Sequence, residues 1–117
     1  MTSTSWILLA LPAFSASFTG YRGTLATVRR AMREEKWTEA EAMLMRAGPI
    51  AGSDPAFFNL VGVLREVAGN KDAAAEFYGR AIRADGSYAP AQQNMRRLYE
   101  LRNFGQTHQV VALGDEL

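Results

Sequence analysis

The stretch PAFFNLVGVLREVAGNKDAAAEFYGRAIRA, residues 55–84, reads as two helices joined by a short turn. Ser53 and Asp54 place a capping oxygen just ahead of it, and Pro55 falls at an early helical position, where its missing N–H costs nothing. Ala68-Gly69-Asn70 is the turn, and Asp85-Gly86 ends the second helix. Gly62, Ala74 and Ala81 let paired helices approach closely, while Phe58, Leu64, Phe77 and Tyr78 fill the space between neighbouring pairs.

The same reading extends in both directions. Residues 24–35 (TLATVRRAMREE) put Leu25, Val28 and Met32 at helical spacing. Residues 38–47 (TEAEAMLMRA) open with Thr38 and carry Glu41 three residues later, a capping-box spacing, and Gly48-Pro49 is expected to stop that helix. A fifth helix is expected over residues 88–102, with Pro90 near its start and Met95, Leu98 and Tyr99 as its buried stripe. Only residues 109–113 (QVVAL) alternate in the manner of a strand. They form a short apolar run suited to docking on the last helix or on a partner.

The helical pairs at residues 21–54 and 55–88 align at a 34-residue offset. Ala40 falls on Ala74, Leu44 on Tyr78, Ala47 on Ala81 and Gly52 on Gly86. This arrangement resembles the tetratricopeptide-repeat (TPR) family, whose pattern runs aromatic, Leu-Gly, Tyr, Ala, Phe, Ala, Pro. In the second pair Phe58 stands at the first aromatic, Val61-Gly62 at Leu-Gly, Gly69 at the turn, Ala74 and Ala81 at the small positions, and Tyr78 at the later aromatic. Arg65 replaces the family's Tyr and Gly86 its final Pro. In the first pair Val28, Ala31, Ala40, Leu44 and Ala47 fit, Trp37 follows the turn, and Glu35 stands where Gly is usual. The resemblance implies an all-α fold, a short right-handed superhelix of antiparallel helix pairs. It would comprise an extension at residues 1–20, a repeat domain at 21–103 with a cap helix at 88–103, and a tail at 104–117.

Composition narrows the function classes. The chain has 117 residues and 48% are apolar, enough for one domain with a core. Thirteen basic and 12 acidic residues give a net charge of +1, without the basic excess of a nucleic-acid binder. There is no cysteine and a single histidine, His108, so neither a thiolate nor a histidine metal site can be assembled from one chain. No Gly-Lys-Ser/Thr loop follows a strand, and the acids Glu34, Glu35, Glu39 and Glu41 read as helix-surface charges. The expectation is no catalysis, no cofactor and no small-molecule substrate.

The start of the chain differs from the rest. No charged residue lies between Thr2 and Tyr21, and residues 6–18 (WILLALPAFSASF) are mostly apolar. Trp6, Ile7, Leu8, Leu9, Leu11, Phe14 and Phe18 make this an attachment segment for a membrane or a partner, or a cover for the first repeat. A membrane helix needs roughly 20 strongly apolar residues, and Pro12 interrupts this run. A signal peptide would carry a basic leader, and a transit peptide would lack so greasy a centre. Two locations stay open, a membrane-associated one with the repeats on the cytoplasmic side and a soluble cytoplasmic one; organelle targeting is a further alternative. The terminal Gly114-Asp115-Glu116-Leu117 is similar to an ER-retrieval tetrapeptide, with Gly where Lys or His belongs, and chance explains it better.

The family resemblance also implies a ligand groove lined by the first helix of each pair. It would be formed by Arg22, Leu25, Arg29 and Arg33, by Asn59, Val63 and Glu66, and by Gln93, Arg97 and Glu100. There the arginines would pair with carboxylates, while Asn59 and Gln93 would hold peptide backbone. Two functional readings follow, both with protein partners. One is a scaffold or assembly subunit of a larger, membrane-associated complex. The other is a soluble adaptor that takes an acidic or extended peptide in the groove.

Overall fold

The computed structural model describes residues 20–115, and all regular structure among them is helical. Five helices follow one another: α1 (Tyr21–Arg33), α2 (Trp37–Ala51), α3 (Pro55–Val67), α4 (Lys71–Ala84) and α5 (Ala89–Phe104). The attachment segment expected at residues 6–18 lies outside the described residues. The chain divides after Ala51 into two compact units.

In the first unit α1 packs on α2. Leu25, Val28, Ala31 and Met32 are buried on α1, and Ala40, Leu44, Ala47 and Ala51 on α2, at the three- and four-residue steps of a single helix face. The turn between them is a Schellman closure. Lys36 N–H donates to Ala31 O (2.8 Å) and Glu35 N–H to Met32 O (3.0 Å). This geometry puts Glu35 in the left-handed region at φ 59°. The same closure ends α3, where Asn70 N–H donates to Arg65 O (2.9 Å), Gly69 N–H to Glu66 O (2.9 Å), and Gly69 has φ 86°. Thus Glu35 occupies in the first hairpin the position that Gly69 fills in the second.

Two expected boundaries of α2 move. Ala40 N–H donates to Lys36 O (3.0 Å), so the helix starts ahead of Thr38 and the expected cap falls inside it. Pro49 does not stop the helix, which continues to Ala51. Proline in this last turn removes only the donor to the Met45 carbonyl, and Met45 is exposed, so water can replace it.

In the second unit α4 packs against both α3 and α5. Asp54 caps α3 by accepting from Ala56 N–H (3.0 Å), with Pro55 in the first turn. Asn70 caps α4 by accepting from Ala73 N–H (3.0 Å). Each such cap stabilises its helix by about 1 kcal/mol. The tightest approach is Gly62 on Tyr78: a Cβ at Gly62 would lie 2.5 Å from Tyr78 Cε1. Of the expected buried stripe of α5, Leu98 is buried and Met95 half-buried, but the buried face turns away from Tyr99. Ala91, Asn94, Arg97 and Leu98 are buried, whereas Tyr99 is 61% exposed and meets Phe104 edge-on at 6.3 Å.

Two substitutions test these backbone constraints. Gly62→Ala drives a methyl into a fully buried ring, and overpacking of this kind costs about 1–3 kcal/mol. Its urea midpoint should fall, and an unchanged midpoint would mean that α3 can slide away from Tyr78. Glu35→Gly removes a left-handed non-glycine residue, which is worth about 0.5–1 kcal/mol after the glycine's own entropy cost. Thermal unfolding should shift upward by a few degrees, and a downward shift would show that the Glu35 side chain contributes more than its backbone costs.

Candidate functional site

The second unit folds its own C-terminal segment onto two of its helices. Gly105, left-handed at φ 73°, donates its N–H to Leu101 O (3.0 Å) and ends α5. The chain then turns back, with Thr107 hydroxyl donating to the Glu100 carboxylate and Gln109 N–H donating to Thr107 Oγ1 (3.0 Å). Further on, Gln93 Nε2 donates to Val110 O (2.7 Å). Residues 107–110 therefore retrace α5 from Glu100 toward Gln93. Residues 105–115 carry neither helix nor strand, although residues 109–113 alternate as a strand would.

Ala112 is the anchor, and two buried asparagines hold its backbone. Asn94 Oδ1 accepts from Ala112 N–H (2.8 Å), and Asn94 Nδ2 donates to Ala112 O (2.8 Å). Asn59 Nδ2 donates to the same carbonyl (2.9 Å). The second Asn94 proton goes to Asn59 Oδ1 (2.9 Å) and links α5 to α3. A side-chain amide offers the same donor–acceptor pair as a peptide unit, so Asn94 stands in for a neighbouring strand at one residue. Both asparagines are fully buried, and every oxygen of the cluster has a donor. Ala112 and Leu113 are buried too, while Val110 and Val111 are 69% and 40% exposed.

Below this cluster a second bridge joins the same helices. The Arg97 guanidinium on α5 pairs with the Glu66 carboxylate on α3, and both side chains are largely buried. Tyr78 on α4 donates its hydroxyl to the same Glu66 oxygen (2.8 Å). Burial first, then the Glu66 charge and the hydrogen bond to it, raise the Tyr78 phenol far above its ordinary range. The shift favours the protonated phenol, the form that donates to Glu66. A buried pair of this kind contributes little net stability against an apolar alternative, but it fixes which residues face each other.

The residues expected to line a groove fall in both units. On α1, Arg22 and Arg33 are exposed, Arg29 is half-buried and Leu25 is fully buried. Leu25 is thus core in this conformation and unavailable to a ligand. Beside α1 lies an open depression of about 730 Å³, lined by Tyr21, Thr24, Thr27, Met43, Arg46 and Ile50 among others. In the second unit Asn59, Gln93, Arg97, Glu66 and Glu100 all lie in the arrangement just described. Asn59 and Gln93, expected to hold the backbone of a peptide, donate to backbone carbonyls of the chain's own tail. Val63 lies between Asn59 and Glu66 on the same face of α3 and is buried. Arg97 meets Glu66, which leaves it unavailable as the carboxylate-pairing arginine of a ligand site. Sequence reading missed Asn94, although a polar residue one turn from both Ala91 and Arg97 on the buried face was the available signal.

Among the described residues no helix is long and apolar enough to cross a membrane, and no three metal-ligating side chains gather. In comparison with known proteins, no family profile, curated protein or solved structure matches this chain.

Asn94→Leu keeps the side-chain size but removes both Asn94 hydrogen bonds to Ala112, leaving the one from Asn59. Leaving a buried amide unpaired costs about 1–3 kcal/mol, enough to release a segment anchored by two side chains. Hydrogen exchange of the Ala112 amide should accelerate by at least tenfold while far-UV helicity is retained. Unchanged protection of that amide would show that packing, and not the asparagine, holds the tail.

Proposed function

We propose that the chain is a non-catalytic protein-interaction module of the TPR type, in which the face shared by α3 and α5 receives a non-helical peptide segment of a protein partner. One observation carries this reading: three side-chain amides from two helices, Asn59, Gln93 and Asn94, converge on the backbone of one short segment. Amides aimed at main-chain groups make affinity independent of side-chain identity, with pockets for alternate residues supplying the selectivity. The 34-residue recurrence of the Schellman turn, with Glu35 and Gly69 as its left-handed residues, supports the repeat assignment. So does the close Gly62–Tyr78 contact at the small and aromatic positions of the repeat pattern.

Membership in a larger assembly belongs to the same proposal. The uncharged stretch at residues 6–18 would attach the module to a membrane or to a second protein, leaving the α3–α5 face for the first partner. The even charge balance supports a protein partner over a nucleic acid.

Selection of displayed random ten-residue peptides against the full chain tests the groove. The enriched peptides should bind the native chain and lose at least tenfold in affinity against the Asn59→Ala/Asn94→Ala double variant. Equal binding to native and double-variant protein would place the interaction elsewhere and overturn the reading.

A further inference from the structure

We infer that the tail segment at residues 109–113 is an internal competitor for the α3–α5 face, and that the partner segment it excludes carries a small residue followed by an aliphatic one, as in Ala112-Leu113. This rests on the peptide-groove reading above and adds to it the regulation and the selectivity of the site.

Three features support the competition. First, the contacts to the tail are of a kind that any peptide can make. Asn94 takes both the N–H and the C=O of Ala112, Asn59 takes the same C=O, and Gln93 takes Val110 O. Second, the anchorage is short. Ala112 and Leu113 are buried, whereas Val110 and Val111 point much of their apolar surface at solvent. Third, the tether is brief. Only the stretch between Gly105 and Gln109 separates the end of α5 from the docked residues, so the tail acts at a local concentration on the order of millimolar. A closed tail favoured about tenfold over an open one weakens an outside peptide about tenfold, because only the open fraction can bind.

The selectivity follows from the anchor's surroundings. Ala112 is held by its backbone between two fully buried asparagines and is itself only 3% exposed. A larger side chain there would have to displace packed neighbours. Leu113 is buried beside it, and an aliphatic residue fills that space. A partner therefore presents a small residue, one whose N–H and C=O both face inward, and a leucine-sized residue after it.

The test uses the full chain and, as probe, a fluorescent synthetic peptide with the sequence of residues 106–115. Binding is read by anisotropy for native protein and for the tail-release variant Ala112→Glu/Leu113→Ser. The expected result is weak binding by native protein, at least tenfold tighter binding by the variant, and no binding of a probe carrying Ala112→Glu. Equal affinities for the probe, lost in both on Asn94→Leu, would overturn the competition while leaving the groove reading intact. No probe binding by a release variant with native helicity would overturn both. Dimers that form with rising concentration in native protein and vanish in the variant would make a second copy's tail the occupant, which also overturns the internal competition. Hydrogen exchange of native protein gives a readout independent of the variant's folding. The Ala112 amide should exchange at least tenfold faster than buried amides of α4, through openings insensitive to low denaturant. Exchange only through global unfolding would make the tail a permanent part of the fold and overturn the inference.

Discussion

Everything at the candidate site depends on one steric constraint, the contact of the Gly62 backbone with the Tyr78 ring. It lets α3 and α4 approach closely enough for the Tyr78 hydroxyl to reach Glu66. Glu66, held from α4, receives Arg97 from α5. That bridge sets the rotation and height of α5 against α3, and with them the meeting of Asn94 and Asn59. A methyl group at one glycine therefore acts on a cluster of amides it does not touch. The ion pair and the phenol add little to stability against an apolar alternative, but they match one residue of each of the three helices to the others.

Much of this fold was legible in the sequence because the signals were local. The Asp54-Pro55 start of α3, the limits of α4 and the turn at Gly69 depend on residues within one helical turn of each other. Where a local signal had a competitor, it misled. Thr38 and Glu41 offered a capping box, but the Schellman closure at Glu35 and Lys36 set the helix start earlier. Pro49 offered a stop, but an exposed last turn tolerates a missing donor.

The site was legible in part. Asn59 and Gln93 stood out as uncharged polar residues on faces chosen by the repeat pattern. Asn94 did not, because Met95, Leu98 and Tyr99 make an apolar stripe centred on the far side of Leu98 from Asn94. The apolar run at residues 109–113 was legible as a docking segment, with the last helix as one of its two expected destinations, but its contact with α3 was not. Asn59 and Ala112 are 53 residues apart in the chain, and no periodicity reports such a pairing. Arg97 was read as a ligand-pairing charge because the sequence does not reveal that Glu66 faces it.

The Asn94 grip has a corollary for what the face can accept. Its oxygen needs an N–H at one defined residue, and proline has none. A segment with proline at the position of Ala112 would set its ring against a buried carbonyl oxygen that has lost its donor. Because only one residue of a bound segment turns both main-chain groups toward Asn94, a single proline there forbids that alignment and leaves the neighbouring ones open. In the proposed peptide reading the cluster would work as a register mark: besides the size limits at the positions of Ala112 and Leu113, it would refuse proline at one place.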